Sequence, residues 1–179
     1  MNSVIRPLVP FPSSGQGMDL CITATLLRQD TRLGLAYRME GDLSSIIIPE
    51  LAKRPRRLDN LWRETCLELY LAEPEEAPYW EFNLSPSGHW NVYRFSSYRD
   101  DRREEASIQE FQCSSSQSDR VLTFETEMDL GRFHLATRAL TVGLSAVVRS
   151  VCGTNSYWAL THPGREPDFH RRDGFILRI

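Results

Sequence analysis

The sequence has no long apolar run, no large excess of one charge and no closely paired cysteines. Its apolar stretches are much shorter than the roughly 20 residues that cross a bilayer, and its first residues, MNSVIRPLVPFPSSG, contain prolines instead of the apolar core of a signal peptide. These absences predict a cytoplasmic protein with no membrane partner. The formal net charge of −3 also gives no general attraction to nucleic acid, so we expect no nucleic-acid partner.

Several catalytic and cofactor motifs are missing as well. No Gly-x-Ser-x-Gly elbow and no glycine-rich phosphate loop occurs, so nothing favours nucleophilic catalysis or nucleotide binding. The four cysteines lie far apart and are typical of buried free thiols rather than of a zinc site. His162, Asp168 and His170 could approach a metal, but a loop that closes over a site, with Asp168 and His170 bonding ligand or backbone, is favoured. We therefore predict no cofactor and assign no metal ligand.

Short alternating or β-branched segments dominate what is present. They predict an all-β protein, a single domain over residues 1–179 with an extended N-terminal arm over residues 1–17. The expected architecture is a two-sheet antiparallel β-sandwich, jelly-roll or immunoglobulin-like. The segments that read as strands are Leu20–Leu27, Leu33–Met39, Thr65–Leu71, Tyr79–Leu84, Trp90–Phe95, Ile108–Cys113, Val121–Met128, Leu140–Arg149, Tyr157–His162 and Phe175–Ile179.

Three consecutive strands carry the densest set of polar and aromatic side chains. In Thr65–Leu71 the leucines share one face and Glu68 lies on the other. In Tyr79–Leu84 the core face is Trp80, Phe82 and Leu84, which leaves Glu81 and Asn83 opposite. For Trp90–Phe95 we place Tyr93 and Phe95 in the core, which puts Trp90 and Arg94 beside the two glutamates. A slip of one residue would reverse that last assignment.

These side chains allow more than one interpretation. Trp62 is as well suited to stacking on a sugar as to plugging the end of the fold, and Trp90 leans slightly toward the site. Glu68 and Glu81 form an ion-pair network with nearby arginines in the first interpretation, bind ligand hydroxyls in the second and act as catalytic acid and base in the third. Arg102 and Arg103 follow two aspartates and are typical of a solvated loop.

Three blocks together resemble the DOMON-like domains, which are related to the family-nine carbohydrate-binding modules and include a bacterial subgroup of unassigned role. The blocks are LWRETCLELYL, YWEFNLSPSGHWNVYRFSSYR and HPGREPDFHRRDGFIL. The resemblance implies a β-sandwich with a ligand site on one face or edge, in a superfamily that binds sugars or haem. The matching sugar-binding positions are Trp62, Glu68, Glu81, Asn83, Trp90 and Arg94. Haem-binding relatives use Met, His or Lys, and no matching Met–His pair is found here.

The sequence therefore predicts a non-catalytic ligand-binding module whose ligand is small and polar, with a carbohydrate as first candidate. We expect its site to comprise the six positions just named together with Asp168 and His170. Two alternatives stay open. One is a glycoside-active enzyme that uses the paired carboxylates, and the other is a protein-interaction domain whose polar face meets a partner chain.

Overall fold

β-Strands make up almost all of the regular structure in the computed structural model, which describes residues 2–14 and 18–179. Four short 3-10 turns accompany the strands, at Leu43–Ser45, Leu61–Arg63, Leu130–Phe133 and Arg172–Gly174. Within the described residues the twelve strands are β1 (Asn2–Pro10), β2 (Leu20–Gln29), β3 (Arg32–Gly41), β4 (Cys66–Ala72), β5 (Tyr79–Leu84), β6 (Trp90–Phe95), β7 (Arg103–Glu104), β8 (Cys113–Gln117), β9 (Val121–Asp129), β10 (Thr141–Arg149), β11 (Asn155–Ala159) and β12 (Leu177–Arg178).

The strands follow one continuous hydrogen-bonded path in the order β7-β6-β5-β4-β10-β11-β1-β2-β3-β9-β8, and β12 adds to β10. Every pairing along this path is antiparallel. The prediction of an all-β antiparallel fold is confirmed, although hydrogen bonding links the strands into a single curled sheet. We call β4–β7 with β10 and β11 the front arm, and β2, β3, β8 and β9 the back arm.

Strand β1 joins the two arms. Asn2–Leu8 pairs with β2 of the back arm, whereas Val9 and Pro10 pair with Ala159 and Trp158 of the front arm. The arm predicted over residues 1–17 is thus largely a strand, and residues 15–17 lie outside the described part of the chain. Within the described chain, each part of β1 pairs with one neighbouring strand only, and proline, which has no N–H group to donate, is tolerated at such positions.

The main core lies between the arms and takes apolar side chains from both. Leu67, Leu69 and Leu71 of β4 pack there with Leu33 and Leu35 of β3. The hydroxyl of Tyr37 on β3 also donates to the backbone carbonyl of Glu68 on β4, at 2.5 Å, which ties the arms together. The predicted core positions Trp80, Phe82 and Leu84 are confirmed, and Trp158 packs in the same core.

The region from residue 108 to residue 117 differs from the predicted strands. Of the predicted strand Ile108–Cys113 only Cys113 lies in a strand; Ile108 and Phe111 belong to an irregular segment that packs them into the core. The serines at 114–118 have the composition of a loop, yet Cys113–Gln117 forms edge strand β8 against β9. An edge strand with one exposed side can carry small polar residues, and its signal is therefore weak in the sequence.

A smaller aromatic cluster covers the opposite side of β4, β5 and β6. It contains Tyr70, Tyr79, Tyr93, Phe95 and Phe175, the last of which comes from the C-terminal segment. Gly143 of β10 makes this approach possible, because a Cβ there would lie 2.7 Å from the Phe175 ring. The C-terminal segment therefore packs on the outer face of the front arm, where the polar side chains of these strands also point.

Candidate functional site

The polar side chains of β4 and β5 meet on the outer face of the front arm. Glu68 pairs with Asn83 and Tyr70 with Glu81, as antiparallel register requires. Glu68 and Glu81 therefore lie on neighbouring paired strands. Because successive side chains alternate between faces, all four lie together, while the leucines of β4 and the apolar residues of β5 fill the core.

The predicted orientation of β6 is wrong by one residue. Tyr93 pairs with Glu81 and Asn91 with Asn83, so these two residues, and not Trp90 or Arg94, share the polar face. Trp90 is 3% exposed and packs in the main core beside Phe111, with ring centroids 5.6 Å apart. Arg94 is exposed and lies over the Trp80 ring at 5.3 Å. Tyrosine and phenylalanine suit either face of this strand, so composition alone could not choose the register.

The outer face of the front arm contains a cavity of about 410 Å³, a size typical of small-molecule sites. Its floor consists of the buried side chains Glu68, Tyr70, Glu81 and Asn83. Its rim includes the more accessible side chains Trp62, Arg99, Arg102 and Tyr157. Phe169 and His170 of the C-terminal segment also contact the cavity.

Two carboxyl groups share one tyrosine hydroxyl on the cavity floor. Tyr70 Oη lies 3.0 Å from Glu68 Oε2 and 3.3 Å from Glu81 Oε1. Ser145 also donates to Glu68 Oε2 at 3.1 Å, and Asn83 Nδ2 donates to Glu81 Oε1 at 3.0 Å. Among the described residues, nothing hydrogen-bonds the other oxygen of either carboxyl group, and neither oxygen is fully occluded. Glu68 Oε1 and Glu81 Oε2 therefore remain available to a molecule in the cavity.

The floor carboxyl groups hold protons more tightly than ordinary glutamates. Glu68 is 2% exposed, and burial together with the nearby charge of Glu81 raises its pKa to about 8. Burial also raises the pKa of Glu81, although hydrogen bonds from Asn83 and Tyr70 oppose the shift. Within the described chain no arginine lies within 4.0 Å of either carboxylate, so the predicted ion-pair network does not form. At neutral pH Glu68 is mostly a neutral acid that can donate a hydrogen bond.

His170 closes one side of the floor in its neutral form. Its Nδ1 lies 2.7 Å from the Tyr79 hydroxyl, which in turn accepts the backbone N–H of Arg99 at 3.1 Å. The hydroxyl can donate its own proton to Nδ1 of the neutral ring, whose Nε2 lies 4.0 Å from Glu81 Oε1. Burial and the positive charge of Arg99 lower the pKa of His170 to about 4. This histidine carries no charge near neutral pH.

Asp168 holds the loop behind the cavity instead of lining it. Its Oδ1 accepts from Arg99 Nη2 at 2.8 Å and from the backbone N–H of His170 at 3.1 Å. Its Oδ2 accepts from the Tyr98 hydroxyl. These bonds keep the pKa of Asp168 below its ordinary value even though partial burial opposes that shift. Asp168 thus positions two residues of the cavity wall, Arg99 and His170.

Five of the eight candidate residues line the cavity, namely Trp62, Glu68, Glu81, Asn83 and His170. Trp90 and Arg94 lie on the other face and Asp168 lies behind the wall. Arg102 is exposed in a loop, as expected, and it also lines the cavity, 4.7 Å above the Tyr93 ring. The correct orientation of β6 would have brought in Tyr93. Tyr157 lies on strand β11 of the front arm, whereas Phe169 comes from a loop and left no local signal.

Protein stability should fall as the pH rises from 6.5 to 8. Between pH 4.5 and 8 the folded chain keeps a Glu68 proton that the unfolded chain releases, so this stabilisation is complete below pH 4.5 and lost through pH 8. Between pH 4 and 6.5 the unfolded chain protonates His170 and the folded chain does not, which acts in the opposite direction. The two effects offset each other from pH 4.5 to 6.5. A loss of up to about 1.4 kcal/mol per pH unit remains above pH 6.5.

Urea unfolding of the wild type and of Glu68→Gln between pH 5.5 and 8.5 checks this expectation. The variant has no carboxyl proton to lose and should show a much flatter profile above pH 6.5. A wild-type unfolding free energy that stays constant from pH 6.5 to 8 would contradict the burial of a protonated Glu68.

Within residues 2–14 and 18–179, no group of three or more His, Cys, Asp or Glu side chains is arranged to hold a metal ion. His162 does not join His170 at the cavity, because its ring contacts the backbone carbonyl of Val9 and the Phe11 ring. No helix in the described chain is long and apolar enough to cross a membrane.

The fold is similar to that of a Bacteroides uniformis protein provisionally named as carbohydrate-binding. The TM-score is 0.67 at 10% identity, over 96% of this chain and 83% of that one. A family-nine carbohydrate-binding module from Caldicellulosiruptor kristjanssonii, solved with glucose, aligns with a TM-score of 0.44 at 10% identity, over 79% and 67% of the two chains. No protein-family profile and no curated protein sequence matches the chain. The likeness to the Bacteroides uniformis protein shows the fold alone, and the DOMON-like assignment stays a prediction.

Proposed function

We propose that this protein is a non-catalytic module that binds a carbohydrate in the cavity on its front arm. The observation that carries the proposal is a buried polar floor with two carboxyl oxygens, Glu68 Oε1 and Glu81 Oε2, that no described residue hydrogen-bonds, beside an exposed tryptophan, Trp62. Buried polar groups are normally satisfied, so free oxygens in a cavity are suited to ligand hydroxyls.

The floor offers both kinds of hydrogen-bonding partner that a sugar hydroxyl needs. A protonated Glu68 donates through its O–H group, and Glu81 and Asn83 contribute oxygens that accept. Because a hydroxyl both donates and accepts, it can bridge such a pair of groups. A purely ionic floor would instead favour a cation, and the raised pKa values of both glutamates argue against one.

The rim supplies an apolar surface for the faces of a sugar ring. The Trp62 side chain is 45% exposed on the turn Leu61–Arg63, and Tyr157 and Phe169 line the same cavity with ring centroids 6.1 Å apart. A ligand that covers an exposed aromatic ring removes apolar surface from water, which favours binding. The C–H groups of a pyranose pack well against such rings.

The architecture also supports a binding module. The arms face each other across one core, and we propose that they act as the two layers of a β-sandwich, as the sequence predicts. The likeness to the Bacteroides uniformis protein, which is provisionally named as carbohydrate-binding, agrees with this proposal. The glutamates lie side by side and share the Tyr70 hydroxyl, an arrangement that serves hydrogen bonding without requiring bond cleavage.

A panel of monosaccharides and disaccharides tested by thermal shift and then by isothermal titration calorimetry examines the proposal. We expect at least one sugar to bind with a single site, and Glu81→Gln to weaken that binding while Glu110→Gln, which lies outside the cavity, does not. The same panel as nitrophenyl glycosides should give no turnover. Release of nitrophenol that depends on Glu68 and Glu81 would instead identify a glycoside-active enzyme.

A further inference from the structure

We propose that the ligand is an anionic sugar of the uronic acid class, whose carboxylate is bound by the guanidinium of Arg102 with support from Arg99. The inference rests on the proposed carbohydrate-binding function and names its substrate class. Its basis is the arrangement of charged side chains around the cavity.

Arg102 is a cation that faces the cavity without an acidic partner. Its guanidinium lies 4.7 Å above the Tyr93 ring, and within the described chain no carboxylate lies within 4.0 Å of it. The adjacent Arg103 is different, because it pairs with Asp101 at 2.8 Å and does not line the cavity. A planar guanidinium stacked on an aromatic ring keeps its edge N–H groups free for a carboxylate.

The loop after β6 carries Arg99 and Arg102 at the cavity and has an unusual backbone conformation. Arg99 and Asp101 adopt left-handed conformations, with φ of 54° and 49°, which cost free energy for residues other than glycine. The Arg99 backbone is fixed by the Tyr79 hydroxyl, and its side chain is fixed by Asp168. Asp168 engages Nη2, so other N–H donors of the Arg99 guanidinium remain for a ligand.

The positive charge reaches the groups inside the cavity. Arg99 and Arg102 both disfavour the charged form of His170, and both favour the ionised form of Glu81. A bound carboxylate would therefore enter a region of positive potential.

The floor does not cancel this attraction. Glu68 is mostly protonated at neutral pH, and burial raises the pKa of Glu81 as well. Two ionised glutamates would repel an anion, whereas the mostly protonated Glu68 reduces the negative charge of this floor. The cavity thus combines a ring-sized polar floor, aromatic rings and a cationic rim. That combination matches a pyranose with one carboxylate better than it matches a neutral sugar.

Isothermal titration calorimetry with glucose, glucuronate and glucose 6-phosphate tests the inference on the wild type, Arg102→Gln and Arg103→Gln. We expect the wild type to bind glucuronate at least about tenfold more tightly than glucose, as a charge-assisted hydrogen bond allows. Arg102→Gln should bring the ratio of the two affinities close to one, and the matched control Arg103→Gln should keep it. Added salt should weaken glucuronate binding in the wild type.

The results separate this inference from the proposed function. Glucose binding that equals or exceeds glucuronate binding overturns the inference and leaves a carbohydrate-binding module. A preference that survives Arg102→Gln also overturns it. Tighter binding of glucose 6-phosphate than of glucuronate replaces the uronate with a phosphate. If the full sugar panel, uronates included, fails to bind to the folded wild type, the proposed function fails and the inference fails with it.

Discussion

Replacing Trp90 with alanine is expected to lower the free energy of unfolding by about 3–5 kcal/mol, the usual cost of removing a buried tryptophan side chain. Trp90 is 3% exposed, packs against Phe111 and carries Arg57 over its ring at 4.5 Å. Its loss would leave a large cavity between the arms, because the surrounding strands are held in register and cannot collapse. Sugar affinity, measured where the variant is still folded, should change little, since the side chain does not face the site.

Urea or guanidinium unfolding followed by fluorescence and far-UV circular dichroism gives the comparison. Trp90→Phe should recover part of the lost stability because an aromatic ring remains against Phe111. A loss below 1 kcal/mol in Trp90→Ala, combined with abolished sugar binding, would contradict the core assignment and restore the side chain to the site.

Trp62→Ala is expected to give the reverse result. It should weaken sugar binding at least about tenfold, as truncation of a central aromatic contact commonly does. The free energy of unfolding should change by less than about 0.5 kcal/mol, because the side chain is 45% exposed and its turn is held by backbone bonds such as Arg63 N–H to Asn60 O.

Calorimetry with whichever sugar binds the wild type most tightly measures this effect. Leu51→Ala is a matched control, since Leu51 is an apolar residue that is 67% exposed and lies outside the cavity. Equal affinities of the wild type and Trp62→Ala would remove the tryptophan from the binding site. Taken together, the Trp62 and Trp90 variants separate recognition from folding with one residue type.

The sequence was sufficient for the front-arm strands that carry clear alternation. Tyr79–Leu84 has three large apolar side chains at every second position, so its faces and its exact bounds were predictable. The same alternation placed Glu68 and Glu81 on one surface. Strand β8 gives no strand signal because its serines are equally typical of a loop. Ile108 and Phe111 indicate a strand because an irregular segment that buries apolar side chains has the same apolar composition.

The site itself was predictable only where it depends on strands. Trp90–Phe95 has aromatic residues on both faces, and the buried Asn91, which bonds Arg57 and Tyr93, resolves the choice only in three dimensions. Arg102 and Phe169 come from loops whose course is set by contacts such as Arg99 with Asp168, separated by many residues in the chain. Such contacts leave no local periodicity, so a single sequence could not reveal them.

Strand β1 links the front arm, which carries the site, to the back arm, so the two arms can differ in how freely their residues are substituted. Among the described residues, β1 pairs with the front arm at Val9–Ala159 and Pro10–Trp158, and the backbone bond from Phe11 N–H to Tyr157 O continues this junction. The cavity residues named above belong to the front arm or to loops beside it. The back arm therefore supports the site from behind without lining the cavity, and residues on its outer surface can vary without altering the site. Substitutions on the outer side of the back arm should be tolerated as long as the protein stays soluble. This side is therefore suited to attaching a label or a surface anchor.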